Sequence, residues 1–263
     1  METFQYLNEY YSKGLEDGRL ASRHGSVEFI TTMRYIEKYL RPGDRIIEIG
    51  AGTGHYSHAL ARKGYTVDAV ELIPYNIGVF TQNTLPGEQV TITKGNAMDL
   101  NEFADNSYDI TLLLGPLYHL FSVDDKKRAI GEAIRVTKPG GVIFAAYTIS
   151  DSAILEGGFK RNRFDVAEFI RNGLIDPETF VTHSEPAYLF ELVRKEDIDD
   201  LMRDFSTTRL HYVAVDCYAN HMSEAIDNMD EATFHLYLKY HFTICERPDM
   251  IGLTHHALDV FRK

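Results

Sequence analysis

Hydrophobic positions along the chain follow two alternating patterns. Short apolar, β-branched runs occur in five places, at 45–49, 65–70, 90–93, 108–115 and 142–147. The segments between them space their apolar residues as an amphipathic helix does, most clearly at 124–136. The run at 108–115 is almost continuously apolar, which is typical of a strand buried on both faces of a parallel sheet. This alternation predicts an α/β domain with helices on both faces of a mostly parallel sheet.

The segments that flank this region predict two further parts. Residues 1–44 are interpreted as an N-terminal helical cap, with a helix from Ser26 that ends before Pro42. Residues 150–193 add about forty residues and several phenylalanines where a helix would be expected to follow directly, so we interpret them as an inserted lid of short helices and turns. A helix near 194–202, strands near 206–216 and 257–262, and a helical stretch between these strands complete one domain over residues 1–263.

Three glycines separated by single residues follow the first predicted strand. Gly50, Gly52 and Gly54 stand between that strand and a helical segment that stops at Gly64. Such a loop brings the backbone and the first N–H groups of a helix close to a ligand. The dinucleotide-binding spacing would require glycine at position 55, where the chain has His55, so a dinucleotide oxidoreductase is disfavoured.

The spacing Glu48-x-Gly50-x-Gly52-x-Gly54 resembles motif I of the class I S-adenosylmethionine (SAM) dependent methyltransferases. Glu71, at the end of the second strand, resembles the motif II acid that binds the ribose hydroxyls. Asp99, in the turn after the third strand, resembles the acid that meets the adenine amino group. The segment 136–147 is similar to the helix end, Lys-Pro-Gly-Gly turn and fifth strand of the same family.

This resemblance implies a Rossmann-like fold with a seven-stranded sheet of order 3-2-1-4-5-7-6 and a helical insertion after strand five. It also implies SAM as the cofactor. The residues that it assigns to cofactor binding are Glu48, Gly50, Ala51, Gly52, Gly54, Glu71, Leu72, Asn96, Ala97, Met98, Asp99, Leu114 and Gly115.

The residues after the fourth strand are candidates for catalysis. Amine methyltransferases often carry Asn or Asp followed by Pro-Pro-Tyr here, whereas this chain has glycine at position 115, which disfavours methylation of a base amine. Tyr118 and His119 are the predicted catalytic residues. His119 is either a general base or a pocket wall that hydrogen-bonds to the backbone. The predicted substrate contacts are Tyr10, Tyr11, Arg19, His24 and Tyr147.

Composition and charge indicate where the protein is expected to be located and which partners are disfavoured. Apolar residues make up 44% and charged residues 25% of the chain, and no run is long enough to span a membrane. No secretion signal is evident, and Cys217 and Cys245 lack metal-site spacing, so a cytoplasmic protein with reduced thiols is expected. The histidines form no zinc motif, and no metal is predicted. The net charge of −12 disfavours nucleic acid as a partner.

The function predicted from the sequence is methyl transfer from SAM to a small-molecule acceptor, whose nucleophilic atom (oxygen, nitrogen or sulfur) is left open. A non-catalytic SAM-binding regulator is the main alternative, and an RNA methyltransferase is a weaker one. The sequence leaves the oligomeric state open.

Overall fold

The computed structural model describes residues 2–14 and 18–263, so residues 1 and 15–17 of the predicted N-terminal cap lie outside the described residues. One sheet of eight strands organises the described chain. Its strands are β1 (Arg45–Ile49), β2 (Thr66–Glu71), β3 (Val90–Lys94), β4 (Tyr108–Leu113), β5 (Thr137–Ile149), β6 (Leu192–Val193), β7 (Thr208–Ala214) and β8 (His256–Arg262).

The strand order is β3-β2-β1-β4-β5-β8-β7. Strands β1 to β5 pair in parallel, whereas β8 is antiparallel to both β5 and β7. Since β7 and β8 are the predicted sixth and seventh strands, the predicted order 3-2-1-4-5-7-6 is confirmed.

The predicted count of seven strands needs one correction. Strand β6, only two residues long, lies off the main path and pairs in parallel with β5, joining Thr148 to Leu192 and Ile149 to Val193. Strand β5 continues past the predicted end at residue 147, and this extension supplies the edge to which the last residues of the insertion add.

Ten α-helices connect and cover the strands of the described chain. They are α1 (Glu2–Tyr11), α2 (Arg23–Glu37), α3 (His55–Arg62), α4 (Pro74–Asn83), α5 (Val123–Val136), α6 (Ser150–Ala153), α7 (Val166–Arg171), α8 (Lys195–Met202), α9 (Ser223–Asp227) and α10 (Glu231–Ile244).

Helix α2 begins earlier than the sequence analysis predicts. The Ser22 side chain accepts a hydrogen bond from the Gly25 N–H and is the N-cap, whereas Ser26 donates its hydroxyl to the Arg23 carbonyl inside the helix. A serine has the chemistry of a cap at either position, and the backbone path before the helix selects Ser22.

The core is formed by the central strands and the helices on them. Ile47, Leu112 and Phe144 have no exposed surface. Ala129 and Ala133 are buried on the side of α5 that faces the sheet. A separate apolar cluster joins α2 to the C-terminal helices through Val27, Ala219, Ile226 and Leu238. This second cluster fixes the inner face of α2 beside the segment that follows β7.

The predicted insertion consists of α6, a π-helical turn at Ile154–Lys160, α7, a 3-10 turn at Pro186–Tyr188 and β6. Glu191 near its end forms an ion pair with Lys126 of α5, and both side chains are largely buried. The Glu191 N–H also donates to the Tyr118 carbonyl at 2.6 Å. The insertion is therefore attached to the segment that follows β4. No helix in the described ranges is both long and apolar enough to cross a bilayer.

Candidate active site

The glycine loop between β1 and α3 has a backbone that only glycine suits at its critical positions. Gly50 (φ +77°) and Gly54 (φ +94°) adopt left-handed conformations. A Cβ at Gly50 would lie 2.5 Å from Pro116 Cδ, and one at Gly54 would lie 2.6 Å from the rings of His58 and Phe80. The loop is thus packed tightly on the protein side, while a Cβ at Gly52 would meet no atom within 4 Å.

Glu48 lies at the base of this loop with 2% of its surface exposed. Its carboxylate accepts a hydrogen bond from the Ser57 hydroxyl in the first turn of α3. Burial raises the pKa of Glu48 to about 8, although the Ser57 hydrogen bond opposes the shift. Glu48 therefore joins the end of β1 to the start of α3 as a neutral or weakly ionised acid near neutral pH.

Glu71 joins the glycine loop to the end of β2. One carboxylate oxygen accepts from the Gly52 N–H at 2.7 Å, and the other accepts from the N–H groups of Leu72 and Ile73 at 2.9 and 2.8 Å. Burial raises the pKa of Glu71 in spite of these donors, to which the Asn76 side chain adds another. The predicted cofactor acid thus holds the loop in shape.

The predicted adenine-side residues form a tight turn after β3. Asn96 pairs with Asp99, and the Asn96 side-chain oxygen accepts from the Met98 N–H at 3.0 Å. Ala97 is buried, and the Asp99 side chain is exposed at the edge of the sheet. The structure therefore places an available carboxylate in this turn.

A cavity of about 620 Å³ opens beside the glycine loop. It is lined by the predicted cofactor residues Glu48, Gly50, Ala51, Gly52, Leu114 and Gly115, whereas Gly54, Glu71, Leu72 and residues 96–99 lie outside its wall. Sequence reasoning missed Asn76, which lines the cavity from α4 and carries no motif signal.

The opposite wall of the cavity comes from the N-terminal segment and the insertion. Its aromatic members are Tyr10, Tyr11, Phe164, Phe169, Tyr188 and Phe190, and Tyr56 of α3 and Tyr118 after β4 add two more rings to the cavity lining. Of the predicted substrate contacts, Tyr10, Tyr11, Arg19 and His24 line the cavity. Tyr147 does not, because its ring is 2% exposed within the core and its hydroxyl faces Met202.

Tyr118 and His119 differ in their access to this cavity. Tyr118 is on its wall, and burial raises the pKa of its hydroxyl well above the ordinary value. His119 is not on the wall. Its Nδ1 donates to the Leu189 carbonyl at 2.7 Å, and its Nε2 lies 2.9 Å from the Tyr11 hydroxyl. Both ring nitrogens of His119 are therefore engaged in joining the insertion to α1.

A buried charged cluster on the cavity wall was not assigned by the sequence analysis. His256 Nδ1 lies 3.0 Å from an Asp216 carboxylate oxygen and 3.2 Å from a Glu28 carboxylate oxygen. Arg19 contacts both oxygens of Glu28. The three residues of this cluster are separated by up to 228 positions in sequence, and no spacing signal connects them. Only the antiparallel β8 and the placement of α2 bring them together.

Burial and neighbouring charges together shift the pKa values of the three residues in this cluster. Burial opposes ionisation of each group, but the neighbouring opposite charges prevail. His256, together with the Thr254 hydroxyl, holds the pKa of Asp216 at about 2 although burial raises it, and Arg19 and His256 lower the pKa of Glu28. The two carboxylates in turn raise the pKa of His256.

Glu28, Asp216 and His256 also form the group of metal-ligating side chains found among residues 2–14 and 18–263, with donor atoms within 4.8 Å of one another. Those atoms already take part in hydrogen bonds with Arg19 and within the cluster. A histidine whose Nδ1–H lies between two carboxylates accounts for the arrangement, and the absence of a metal stays a prediction.

Comparison with known proteins finds a similar domain in part of the chain. Residues 47–145 match the model of a methyltransferase domain. A demethylmenaquinone methyltransferase of Renibacterium salmoninarum is 35% identical over 106 residues, which are 40% of this chain and 41% of the relative. A ubiquinone biosynthesis O-methyltransferase of Methylocella silvestris is 31% identical over 127 residues, 48% of each chain. The chain thus matches less than half the length of these curated relatives.

Similarity of fold extends over the whole chain. A solved SAM-dependent methyltransferase of Thermotoga maritima, described as a possible histamine N-methyltransferase, superposes with a TM-score of 0.56. At 19% identity the match covers 100% of this chain and 98% of that structure, and it shows a shared fold. The glycine loop and the strand order agree with this likeness: residues 47–145 match a methyltransferase domain, and the chain has the fold of solved SAM-dependent methyltransferases.

Proposed function

We propose that this protein transfers a methyl group from SAM to a small-molecule acceptor. The observation that carries the proposal is the cavity, in which the glycine loop and the residues after β4 share one space with an aromatic wall. A cofactor held by the loop and an acceptor held by the wall would lie side by side. Methyl transfer requires such placement, because the acceptor must approach the methyl carbon in line with the bond that breaks.

The residues present fit SAM as a cofactor. Gly50 and Gly52 line the cavity with bare backbone, and the N–H groups at the start of α3 suit the carboxylate of the methionyl part. The exposed Asp99 carboxylate is available to the adenine amino group. When bound, SAM supplies an activated methyl group on a positively charged sulfur. The protein contributes binding, orientation and exclusion of water.

Glu71 would bind the ribose of SAM through a carboxylate that already accepts hydrogen bonds from the protein. Its two carboxylate oxygens already accept three backbone hydrogen bonds, but each oxygen can accept more than one. We propose that ribose hydroxyls add to these donors, so that Glu71 both shapes the loop and contacts the cofactor.

The wall of the cavity favours a small aromatic or partly apolar acceptor. Tyrosine and phenylalanine rings from α1, the insertion and the segment after β4 supply most of its apolar surface. Two relatives are named for menaquinone and ubiquinone chemistry, which is compatible with a ring-shaped acceptor. The net charge of −12 makes nucleic acid a poor acceptor, and a cytoplasmic location remains part of the proposal.

Thermal melting with SAM, S-adenosylhomocysteine and NAD⁺ tests the cofactor. A ligand bound only by the folded state at about 100 times its dissociation constant stabilises it by roughly 2.7 kcal/mol, which raises Tm by a few degrees. We expect a shift with SAM and S-adenosylhomocysteine and none with NAD⁺. A shift with NAD⁺ alone would contradict the proposal.

Release of S-adenosylhomocysteine then tests turnover. The acceptor panel contains phenols and hydroquinones, aliphatic and aromatic amines, and thiols of similar size. Turnover with any of these classes supports the proposal. A protein that is stabilised by SAM but turns over no member of the panel would instead fit a SAM-binding regulator.

A further inference from the structure

His256 occupies a defined place beside the predicted reaction space. It is the first residue of β8 and pairs with Thr148, beyond the point at which β4 ends next to β5. Its ring lies 5.8 Å from the ring of Tyr118, between centroids. His256, Tyr118 and Leu114 also line a small recess behind the main cavity. The imidazole therefore stands next to the segment that follows β4.

The two ring nitrogens of His256 have different surroundings. Nδ1 lies between the carboxylates of Asp216 and Glu28, at 3.0 and 3.2 Å. Because a carboxylate only accepts, Nδ1 carries a proton. The side-chain hydrogen bond of His256 within residues 2–14 and 18–263 is made through Nδ1, and His256 is part of the cavity wall. Nε2 is thus the nitrogen that can accept a proton.

The support for this orientation is itself buried and rigid. Asp216 is 1% exposed and accepts hydrogen bonds from the Thr254 hydroxyl, the His255 N–H and the Asn220 amide. Glu28 is 8% exposed and is held by Arg19. These contacts fix both carboxylates, so the ring of His256 has one preferred tautomer and one preferred orientation.

From this geometry we infer that His256 is the general base of the reaction and that the acceptor is an aromatic hydroxyl compound. Asp216 and Glu28 are positioning residues, which orient the imidazole and stabilise its charged form. The inference rests on the proposed function, because it assigns a base and an acceptor class to the same cavity.

The proton and electron balance is simple. The acceptor hydroxyl gives its proton to His256 Nε2, and its oxygen forms a bond to the methyl carbon while the carbon–sulfur bond breaks and its electron pair stays on sulfur. The imidazolium that results is neutralised by the two carboxylates. It returns the proton to solvent after the methylated product leaves.

A hydroxyl acceptor fits the charges on the cavity wall better than an ammonium does. Four carboxylates line the cavity, and each has a partner: Arg19 and His256 for Glu28, His256 for Asp216, Arg161 for Glu156, and the Ser57 hydroxyl for Glu48. None of these is free to bind a cationic amine. The aromatic rings on the opposite wall suit a flat acceptor.

The groups that face His256 determine its titration. Charged and titratable neighbours come from every element packed against it: Arg19 and Glu28 from the N-terminal region, Tyr56 from α3, Tyr118 after β4, Asp216 after β7, and His255. Burial would lower the pKa of His256, but the two carboxylates outweigh it and raise the pKa. His255 is different, since burial and the adjacent His256 charge lower its pKa to about 4.

The first experiment needs no acceptor. NMR titration of histidine-labelled protein should show His256 with a pKa above the ordinary value near 6.5, and Glu28→Gln should lower it. His235→Gln is the matched control, because His235 is exposed on α10 and its Nδ1 hydrogen-bonds to the Glu231 carbonyl of the same helix. A His256 pKa that does not respond to Glu28→Gln overturns the inference.

The second experiment uses two phenols as probes, at about pH 8, where 4-methylphenol is mostly protonated and 4-nitrophenol is mostly ionised. We expect His256→Gln to lower kcat about 10²-fold or more with 4-methylphenol, and far less with 4-nitrophenol, which needs no base. The dissociation constant of SAM should stay unchanged, and His235→Gln should match the unsubstituted protein.

The outcomes separate this inference from the proposed function. Equal losses with both phenols would mean that His256 has a structural role, and would overturn the inference. The same holds if the unsubstituted protein methylates amines or thiols but neither the phenols nor any other hydroxyl acceptor. Failure of SAM to bind would instead remove the proposed function itself.

Discussion

At the scale of single residues, one side chain helps to hold the geometry of the glycine loop. Glu71 accepts hydrogen bonds from the backbone of the glycine loop and from the first N–H groups after β2. It thereby connects two segments that the proposed cofactor would contact together. A substitution here should affect both the shape of the loop and its ligand.

We therefore expect Glu71→Ala to weaken SAM binding at least tenfold, since it leaves three backbone donors without their acceptor. Isothermal titration calorimetry measures the effect, and Glu71→Gln serves as the near-isosteric control with a smaller loss. Unchanged affinity in Glu71→Ala would remove Glu71 from the cofactor site.

Asp216 predicts a pH dependence of stability. Its pKa is lowered from 3.8 to about 2 in the folded protein, so the folded state is favoured while the carboxylate is ionised. This contribution is fully present above pH 3.8 and is lost as the pH falls through 2. The Asp216→Asn variant should accordingly lose less stability than the unsubstituted protein over that interval.

Urea unfolding at a series of acidic pH values measures this difference. Glu102→Gln, which removes an exposed carboxylate, is the control and should retain the original slope. Identical slopes in Asp216→Asn and the unsubstituted protein would contradict the assigned ionisation of Asp216.

At the scale of structural elements, the loop between β1 and α3 is shaped by close packing as well as by glycine conformation. Gly54 and Gly87 share φ +94°, but a Cβ would contact two aromatic rings at Gly54 and no atom within 4 Å at Gly87. The two positions therefore separate the cost of conformation from the cost of packing.

Gly54→Ala should lower the free energy of unfolding by about 1–3 kcal/mol more than Gly87→Ala, because only the first substitution crowds the core. Both free energies come from urea denaturation without ligand. Equal losses would show that His58 and Phe80 move aside without cost.

The attachment of the insertion to the core is a second property of the elements. Lys126 on α5 pairs with Glu191 in a largely buried contact, whereas the next residue, Lys127, pairs with Asp204 at the surface. Burial raises the pKa of Glu191, and the Lys126 charge opposes this shift.

Lys126→Met should destabilise the protein by about 3 kcal/mol, because it leaves the Glu191 carboxylate buried without its counter-charge. Lys127→Met, one residue along the same helix, should have little effect. Thermal and urea unfolding compare the two variants. A similar effect of both would mean that the buried pair does not hold the insertion.

At the scale of the whole molecule, net charge limits the choice of partners. The chain carries 39 acidic and 27 basic residues, and two of the three arginines that line the cavity, Arg19 and Arg161, are paired with carboxylates. A surface of this balance repels the phosphate backbone of nucleic acids.

We expect no retardation of labelled transfer RNA in a gel at low salt, where electrostatic attraction would be strongest. A lysine-rich protein of similar size provides the positive control. Salt-sensitive retention by this protein would restore the RNA methyltransferase hypothesis.

The sequence alone predicted a mostly parallel sheet, because hydrophobic runs and glycine turns are local signals. The strand order came from the resemblance of its motifs to those of the class I methyltransferases. The sequence also identified the glycine loop, since Gly50 and Gly54 must be glycine for reasons of backbone conformation and close approach. It did not predict β6, because a two-residue strand has no periodicity and depends on a neighbouring edge.

The tertiary structure decided which polar groups share the cavity. His119 is close in sequence to the end of β4, yet its nitrogens join Tyr11 and Leu189. His256 is remote in sequence, yet β8 returns antiparallel beside β5 and places it between Glu28 and Asp216. A motif consists of residues that are close in sequence, so it can be recognised without the fold. The cluster of Glu28, Asp216 and His256 comes from three distant segments and forms only when the sheet is assembled.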